Sequence, residues 1–516
     1  MAQAHGDRLT ATDAAFLAQE GPISHMHIGA VMVFEGPPPA FEEFADHVRG
    51  RLHLVPRYRQ KLAVPPMETG RPLWIDDPNF NLEYHLRHTA LPAPGSEEQL
   101  CALAARIHSQ QLDRTKPLWE VWLVQGLEQN RFALLSKTHH ALVDGIAGVD
   151  LATVLFDAEP VPPALPFEGE PWVPQPEPSA IALAARGVRG LAQLPFEAAG
   201  RALSAATRPT ASLHTVREAV EGVAEVAWAG LNPAPPTPLN VPIGPHRRLV
   251  TIRSELTDFK RIKNAFGGTV NDVVLTVVAG GLRRWLISRG ARVEGLELRA
   301  LVPVSIRAAG QHGGNRLAAM RGPLPVYVDD PVARLQVVRQ AMDGLKEAKQ
   351  AVGAEVLSGV QNLAPPTVLA QASRINFSTR LFNLLVTNVP GPQFPLYALG
   401  RELLDLFPVA FLPRDHALAV AIMSYNGGMD FGLLGDYDAM PDLEALGGMI
   451  EDARDELLKH ARGEAGYRRP ERSGGERQRD RTEGSSQNGG PDARRGTNTP
   501  KRTSRPRTSS RASTEA

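Results

Sequence analysis

Lys137-Thr138-His139-His140-Ala141-Leu142-Val143-Asp144-Gly145 places two adjacent histidines three residues ahead of an Asp-Gly pair. Before it, Phe132-Ala133-Leu134-Leu135 reads as a buried strand; after it, Ile146, Val149, Leu151 and Leu155 read as a helix face. The histidines therefore lie where a strand gives way to a loop. Neighbouring side chains of an extended segment point to opposite faces, so His139 and His140 cannot both address one substrate. One of them works and the other supports. Asp144 can orient an imidazole or brace the turn that carries it, and Gly145 allows a backbone angle that a side chain would forbid. This is the arrangement of a general base on a rigid turn. A structural histidine pair is the plain alternative. A metal site is a weaker one, because no His-Glu-x-x-His and no second compact His/Cys cluster accompanies the pair.

The stretch resembles the His-His-x-x-x-Asp-Gly signature of the bacterial wax ester synthase/diacylglycerol acyltransferases, members of the CoA-dependent acyltransferase superfamily. The motif alone also fits nonribosomal peptide condensation domains, so the rest of the chain has to decide.

At 516 residues the chain is long enough for two domains with sizeable cores, plus linkers. Lys+Arg and Asp+Glu both number 56, so global charge gives no argument for nucleic acid. The single cysteine, Cys101, can make no internal disulfide, which suits a reducing compartment, and Cys-x-x-Cys motifs are excluded. The opening residues, Met1 to Asp13, contain no long apolar core of the secretory kind. No stretch reaches the ~18 unbroken apolar residues of a membrane span, Val273 to Leu282 being among the longest, so membrane contact is expected to be peripheral.

Towards the N-terminus, Glu120 to Val124 reads as the strand before the histidine strand, with Pro117-Leu118-Trp119 ahead of it. Ser96-Glu97-Glu98-Gln99 fits a capping box, opening a helix with Leu100, Leu103, Ala104 and Ile107 on one face and Cys101 packed within it. Phe80, Leu82, Tyr84 and Leu86 alternate as an extended segment does, following Arg71 to Ile75. Phe41, Phe44, Val48 and Leu52 predict a helix over 41–54, and His25 to Phe34 reads as a strand. Strands alternating with helices make this an α/β or α+β layer.

Towards the C-terminus, eight prolines between residues 159 and 178 exclude regular helix and central strand, leaving a linker or a surface strap. The alanine-rich region from Ile181 to Trp228 reads as helical. It either packs on the body, which its mixed charges favour, or lies on a lipid surface. Beyond a second proline cluster come a strand, Arg248 to Ile252, and a helix from Leu256 to Ala265. A longer helix, capped by Thr269 or Asn271, follows, with Asp272 in its first turn. Leu298 to Arg307 reads as a buried strand, and helices are expected around Leu335 to Leu345 and over 366–373. Phe382 to Pro390 is a strand broken by a Pro-Gly turn, and Ala417 to Tyr425 and Met429 to Leu434 close the fold as a pair joined by Asn426-Gly427-Gly428. From Gly463 the composition changes. Residues 463–516 hold 13 Lys+Arg against 7 Asp+Glu, and from 468 onward there is no large apolar residue to build a core. Such a basic tail can touch anionic lipid or nucleic acid, or simply be solvated.

Pro117-Leu118-Trp119, Asn271-Asp272 and Asn388-Val389-Pro390 stand in the order of the resembling family's motifs, and the resemblance spans roughly residues 8–460. It implies an α/β (α+β) fold of two chloramphenicol-acetyltransferase-like domains, mixed sheets flanked by helices, with the active-site channel between them. The implied division is 1–158 with the catalytic motif, 159–246 as Pro-rich and helical linker, 247–462 as the second domain, and 463–516 as a disordered basic tail. It further implies an acyl-CoA-dependent O-acyltransferase with His140 as general base and His139 in support. Asp144 and Gly145 would set the turn, and Arg307 would be the partner of Asp144. The outlying motifs also have plain readings: Trp119 as a buried anchor, Asn271-Asp272 as a good helix N-terminus, and Asn388 to Pro390 as turn geometry.

No cofactor or metal is expected, since acyl-CoA serves as co-substrate. Diacylglycerol or a long-chain alcohol is the implied acceptor, the first giving triacylglycerol and the second a wax ester. Insoluble products imply a cytoplasmic protein, peripheral at the inner membrane face or at lipid inclusions, with no specific nucleic-acid partner. A condensation enzyme would need a carrier domain, and none is found. A noncatalytic lipid-surface protein of the same fold is the remaining alternative, and the lack of Gly-x-Ser-x-Gly disfavours a serine esterase.

Overall fold

The computed structural model describes residues 6–66, 70–143, 154–161, 172–185, 232–305, 317–350 and 377–463. Asp144, Gly145 and Arg307, the helix predicted over 366–373, most of the helical linker and the basic tail lie outside the described residues.

In chain order the first strands are β1 (Asp7–Arg8), β2 (His27–Phe34), β3 (Gln60–Ala63), β4 (Leu73–Asp76), β5 (Leu86–Ala90), β6 (Trp119–Gln125) and β7 (Phe132–His139). The later ones are β8 (Arg247–Ile252), β9 (Leu298–Ser305), β10 (Leu317–Leu324), β11 (Leu384–Pro390), β12 (Tyr397–Ala398), β13 (Arg401–Val409), β14 (Leu418–Tyr425) and β15 (Gly428–Asp436). They build two six-stranded sheets, ordered β12-β13-β2-β7-β6-β5 and β10-β9-β11-β14-β15-β8, and a small sheet β1-β4-β3. Both large sheets are mixed: β5 runs parallel to β6, and β11 runs parallel to both β9 and β14.

The helices follow from local chemistry. They are α1 (Ala11–Gln19), α2 (Phe41–Arg51), α3 (Leu82–His85), α4 (Glu97–His108), α5 (Leu256–Phe266), α6 (Val270–Ser288), α7 (Pro331–Gln350) and α8 (Leu443–Arg462). The expected capping box of α4 forms, with Ser96 and Gln99 exchanging side-chain and backbone bonds. Thr269, of the two candidates, caps α6, and Asp272 completes a second capping box. Cys101 packs inside α4, and burial pushes its thiol up to about 11.

Two expectations are corrected. The alternation of Phe80, Leu82, Tyr84 and Leu86 does not make one extended segment. The Asn81 side chain accepts the Glu83 N–H at 3.0 Å and starts the single turn α3 before β5 begins. The helix expected over 41–54 ends at Arg51 and tightens into a 3-10 turn over Leu52–Leu54, with Pro56 just beyond.

The sheets interlock. β13 comes from the C-terminal half yet pairs with β2 in the first sheet, in the register Phe407 to Val31. Its other face lies so close to β15 that a side chain at Gly432 would meet the Pro408 carbonyl at 1.9 Å. α4 in turn leans on β8, where the Thr251 hydroxyl donates to Glu97 at 2.7 Å. The described residues between 6 and 463 accordingly form one compact unit, and one apolar core runs from Ala104 on α4 through Val278 on α6 to Leu433 on β15.

Candidate active site

β7 is buried along its whole length, between β2 and β6, and His139 is its last residue. Strand alternation sends Ala133, Leu135, Lys137 and His139 to the face covered by α4. His139 stands directly opposite His27 on β2, with ring centroids 5.8 Å apart. Its Nδ1 accepts the Ala141 N–H at 3.0 Å, which puts the proton on Nε2. That nitrogen faces Glu20 Oε2 at 3.6 Å, while His27 Nε2 lies 3.2 Å from Glu20 Oε1. Arg114 Nε donates to the same carboxylate at 2.7 Å, and its Nη2 donates to the Leu17 carbonyl at 2.9 Å.

Burial would push the Glu20 carboxyl up, but its contacts with His139, His27 and Arg114 outweigh that and hold it well below the usual carboxylate range. His27 shares the site as a neutral ring, pushed by burial down to about 3. His139 is therefore gripped from below by a buried anion.

His140 points the other way. Its N–H donates to the Met26 carbonyl at 2.8 Å, fixing the residue beyond the end of the strand. Its ring lies against Phe16 with centroids 3.9 Å apart and planes 22° apart, and Phe411 approaches edge-on at 5.9 Å. Nδ1 is enclosed and has no hydrogen-bond partner among the described residues. Burial, helped by the neighbouring His139, pushes the imidazole down to about 4, so it is in its base form at neutral pH.

One helix supplies both grips. α1 carries Phe16 to His140, and its C-cap residue is Glu20. The Thr10 side chain accepts the Asp13 N–H at 3.1 Å and caps the other end. Asp13 serves that cap, and its hydroxyl partner Thr10 lies 2.6 Å away. Neither Phe16 nor Glu20 was singled out by sequence. The available signal was a polar Glu20 next to Gly21-Pro22, immediately after an alanine-rich helical run.

Pro117-Leu118-Trp119 meets the histidines through the backbone. The His139 N–H donates to the Leu118 carbonyl at 3.0 Å, and Trp119 pairs in register with Thr138. Trp119 is fully buried, donates Nε1–H to the Tyr58 carbonyl at 2.8 Å, and stacks on His85 at 4.7 Å. Asn271 and Asp272 at the start of α6 and Asn388 on β11 of the second sheet form a separate group. Asn388 Nδ2 is 3.5 Å from Asn271 Oδ1, and Asp272 is fully buried with Oδ1 enclosed and unbonded. Val389 and Pro390 run out to the surface at the end of β11. Among the described contacts none joins this group to His139 or His140. No cluster of His, Cys, Asp and Glu among the described residues has the form of a metal site, and no single described helix is long and apolar enough to cross a membrane.

Residues 9–274 match the catalytic domain of wax ester synthase/diacylglycerol acyltransferases, and residues 313–458 match the C-terminal domain of the same enzymes. The chain belongs to the wax ester synthase/diacylglycerol acyltransferase family. A probable diacylglycerol O-acyltransferase of Mycobacterium tuberculosis is 36% identical over 453 residues, covering 87% of this chain and 95% of the relative. The wax ester synthase/diacylglycerol acyltransferase of Marinobacter aquaeolei VT8 superposes with a TM-score of 0.64 at 28% identity, covering 88% of this chain and 99% of that one. The first condensation domain of the calcium-dependent antibiotic synthetase shares the fold, with a TM-score of 0.53, 18% identity and coverage of 89% and 97%. The mixed-sheet fold expected from the resemblance is the one these neighbours have.

Buried histidine rings make this family member sensitive to acid. His27 is lowered to about 3, and His85 and His140 each to about 4, all mainly by burial. A histidine with a depressed folded pKa stabilises fully above its unfolded value of about 6.5 and loses that contribution as pH falls towards the folded value. The unfolding free energy from urea titration is therefore expected to hold above about pH 6.5 and to fall steadily below it, by a total on the order of 10 kcal/mol by pH 4. A flat value between pH 7 and pH 4.5 would contradict the burial of these rings.

Proposed function

We propose that the chain is an acyl-CoA:diacylglycerol O-acyltransferase, moving a long-chain acyl group to the free hydroxyl of diacylglycerol to form triacylglycerol. The observation that carries the reading is His140: a neutral imidazole at the end of a rigid strand, in the signature position of a family whose curated relatives bear the diacylglycerol acyltransferase name. With Nδ1 enclosed, Nε2 is the nitrogen left to receive the hydroxyl proton. As that proton moves, the acceptor oxygen attacks the thioester carbonyl. The tetrahedral intermediate collapses with C–S cleavage, and the imidazolium returns the proton to the departing CoA thiolate. A thioester is already activated, so no covalent enzyme intermediate is needed.

His139 supports, held by Glu20 behind the working ring. Asp144 and Gly145 set the turn, with Arg307 as the partner of Asp144. The substrates also give the location: diacylglycerol and triacylglycerol reside in lipid, so the protein works at the cytoplasmic membrane face or on lipid inclusions. A wax ester product would need the same base and differ only in the acceptor pocket.

Purified protein incubated with palmitoyl-CoA and either dioleoylglycerol or hexadecanol, with CoA thiol release followed, separates these readings. Release that depends on diacylglycerol, with triacylglycerol as product, is expected. Release with hexadecanol alone would reassign the acceptor, and no release with either would overturn the reading.

A further inference from the structure

An active-site imidazole needs something to hold its ring, and a buried hydrogen bond to the second nitrogen is the usual device. His140 has none among the described residues: Nδ1 is enclosed and unbonded. The ring instead rests face to face on Phe16 at 3.9 Å and 22°, inside normal stacking distance, with Phe411 set against it edge-on at 83°. Phe16 and Phe411 are themselves in edge contact at 6.2 Å, and Phe377 closes the group at 5.9 Å from Phe411.

The platform is rigid because α1 is fixed at both ends. Thr10 caps its start, and at its finish Arg114 donates to the Leu17 carbonyl and to Glu20. A phenyl face can hold a neutral imidazole flat by dispersion and quadrupole contact, and it shuts out the water that would solvate an imidazolium.

We propose that Phe16 is the positioning residue of His140, fixing the plane of the ring and keeping it dry by stacking, in the place a hydrogen-bonded carboxylate would usually take. The inference rests on the assignment of His140 as the base. It also predicts that the aromatic face, rather than apolar bulk, is what position 16 must supply. The titratable groups around the ring are His139 on its own strand, His25 and His27 on the paired segment, Glu20 on α1 and His416 behind Phe382. Of these, His139 is the immediate neighbour, joined to His140 along the chain. All of them, and Asp144, are common to every variant compared below.

The test is the pH profile of kcat/KM, with kcat and KM for palmitoyl-CoA, in Phe16→Leu, Phe16→Met and Phe16→Tyr. Phe16→Leu and Phe16→Met keep apolar bulk without a π face, and whichever folds with a sharper melting transition is the one to read. The expected result is kcat down by roughly 10- to 100-fold with KM within about twofold, the loss a misplaced base produces. The acid limb should move up by about one pH unit as water reaches the ring. Phe16→Tyr, which keeps the face, recovers both. Wild-type kcat and an unmoved limb in the aliphatic variants would overturn the proposal. So would a change confined to KM or acyl-chain preference, which marks Phe16 as channel lining. A His140→Ala control separates the two levels: if it stays active, the base assignment fails; if it is dead while Phe16→Leu behaves as wild type, the stacking inference alone fails.

Discussion

His140→Ala is expected to lower acceptor-dependent CoA release by about 10²- to 10⁴-fold, the range that general-base catalysis contributes. The fold should survive. The backbone bond of His140 to Met26 does not depend on the side chain, and its enclosed Nδ1 has no partner in another described residue that the truncation would orphan. The substitution removes a ring from the Phe16–Phe411 group, a loss felt mainly locally. His139→Ala makes a useful contrast, because it leaves Glu20 with His27 and Arg114 still in contact. Turnover by purified, folded His140→Ala at the wild-type rate would show that the base is elsewhere. A thermal melt run alongside separates lost chemistry from lost structure.

The second large effect is one of stability. Lys137→Met is expected to destabilise the protein by about 3–5 kcal/mol, because it strands a buried carboxylate. Lys137 is buried on β7 two residues before His139. Its ammonium pairs with Glu120 at 2.6 Å and donates to the Ile107 and Gln110 carbonyls at 2.9 and 3.1 Å. Those carbonyls belong to the last turn of α4 and the residues after it, where the helix dipole favours a cation. Glu120 stands opposite Lys137 in the β6–β7 register. Lys137→Met/Glu120→Leu, which removes both charges, should recover most of the loss, since a well-packed apolar pair replaces a buried ion pair at little cost. Urea unfolding of the three proteins checks this. A double variant no more stable than Lys137→Met would show that the carbonyl bonds, rather than the unpaired carboxylate, dominate.

The residues legible in sequence were those whose signal is local. Ser96 with Gln99, and Thr269 with Asp272, lie three apart and cap their helices by short-range bonds. The Asn426-Gly427-Gly428 turn joins β14 to β15 as the turn chemistry required. Failures arose where two local signals competed. Asn81 offered a cap inside an alternating run, and the cap won. β13 went unread, and it carries Pro408 in register with Ala30 of β2, a proline inside a paired strand.

Sequence by itself determined that two histidines end a buried strand, that they face opposite ways, and that the chain has the motif order of an acyltransferase family. The reason is that strand period, cap chemistry and short motifs are properties of neighbours along the chain. Tertiary structure decided which ring is gripped by an anion and which is stacked and dry. Phe16 and Glu20 reach the histidines from α1, more than a hundred residues earlier, and Phe411 reaches them from the far end of β13. No periodicity records such meetings, because they depend on β13 crossing into the first sheet and on β2 setting His27 opposite His139. The burial that makes His140 a neutral base exists only once those segments have closed over it.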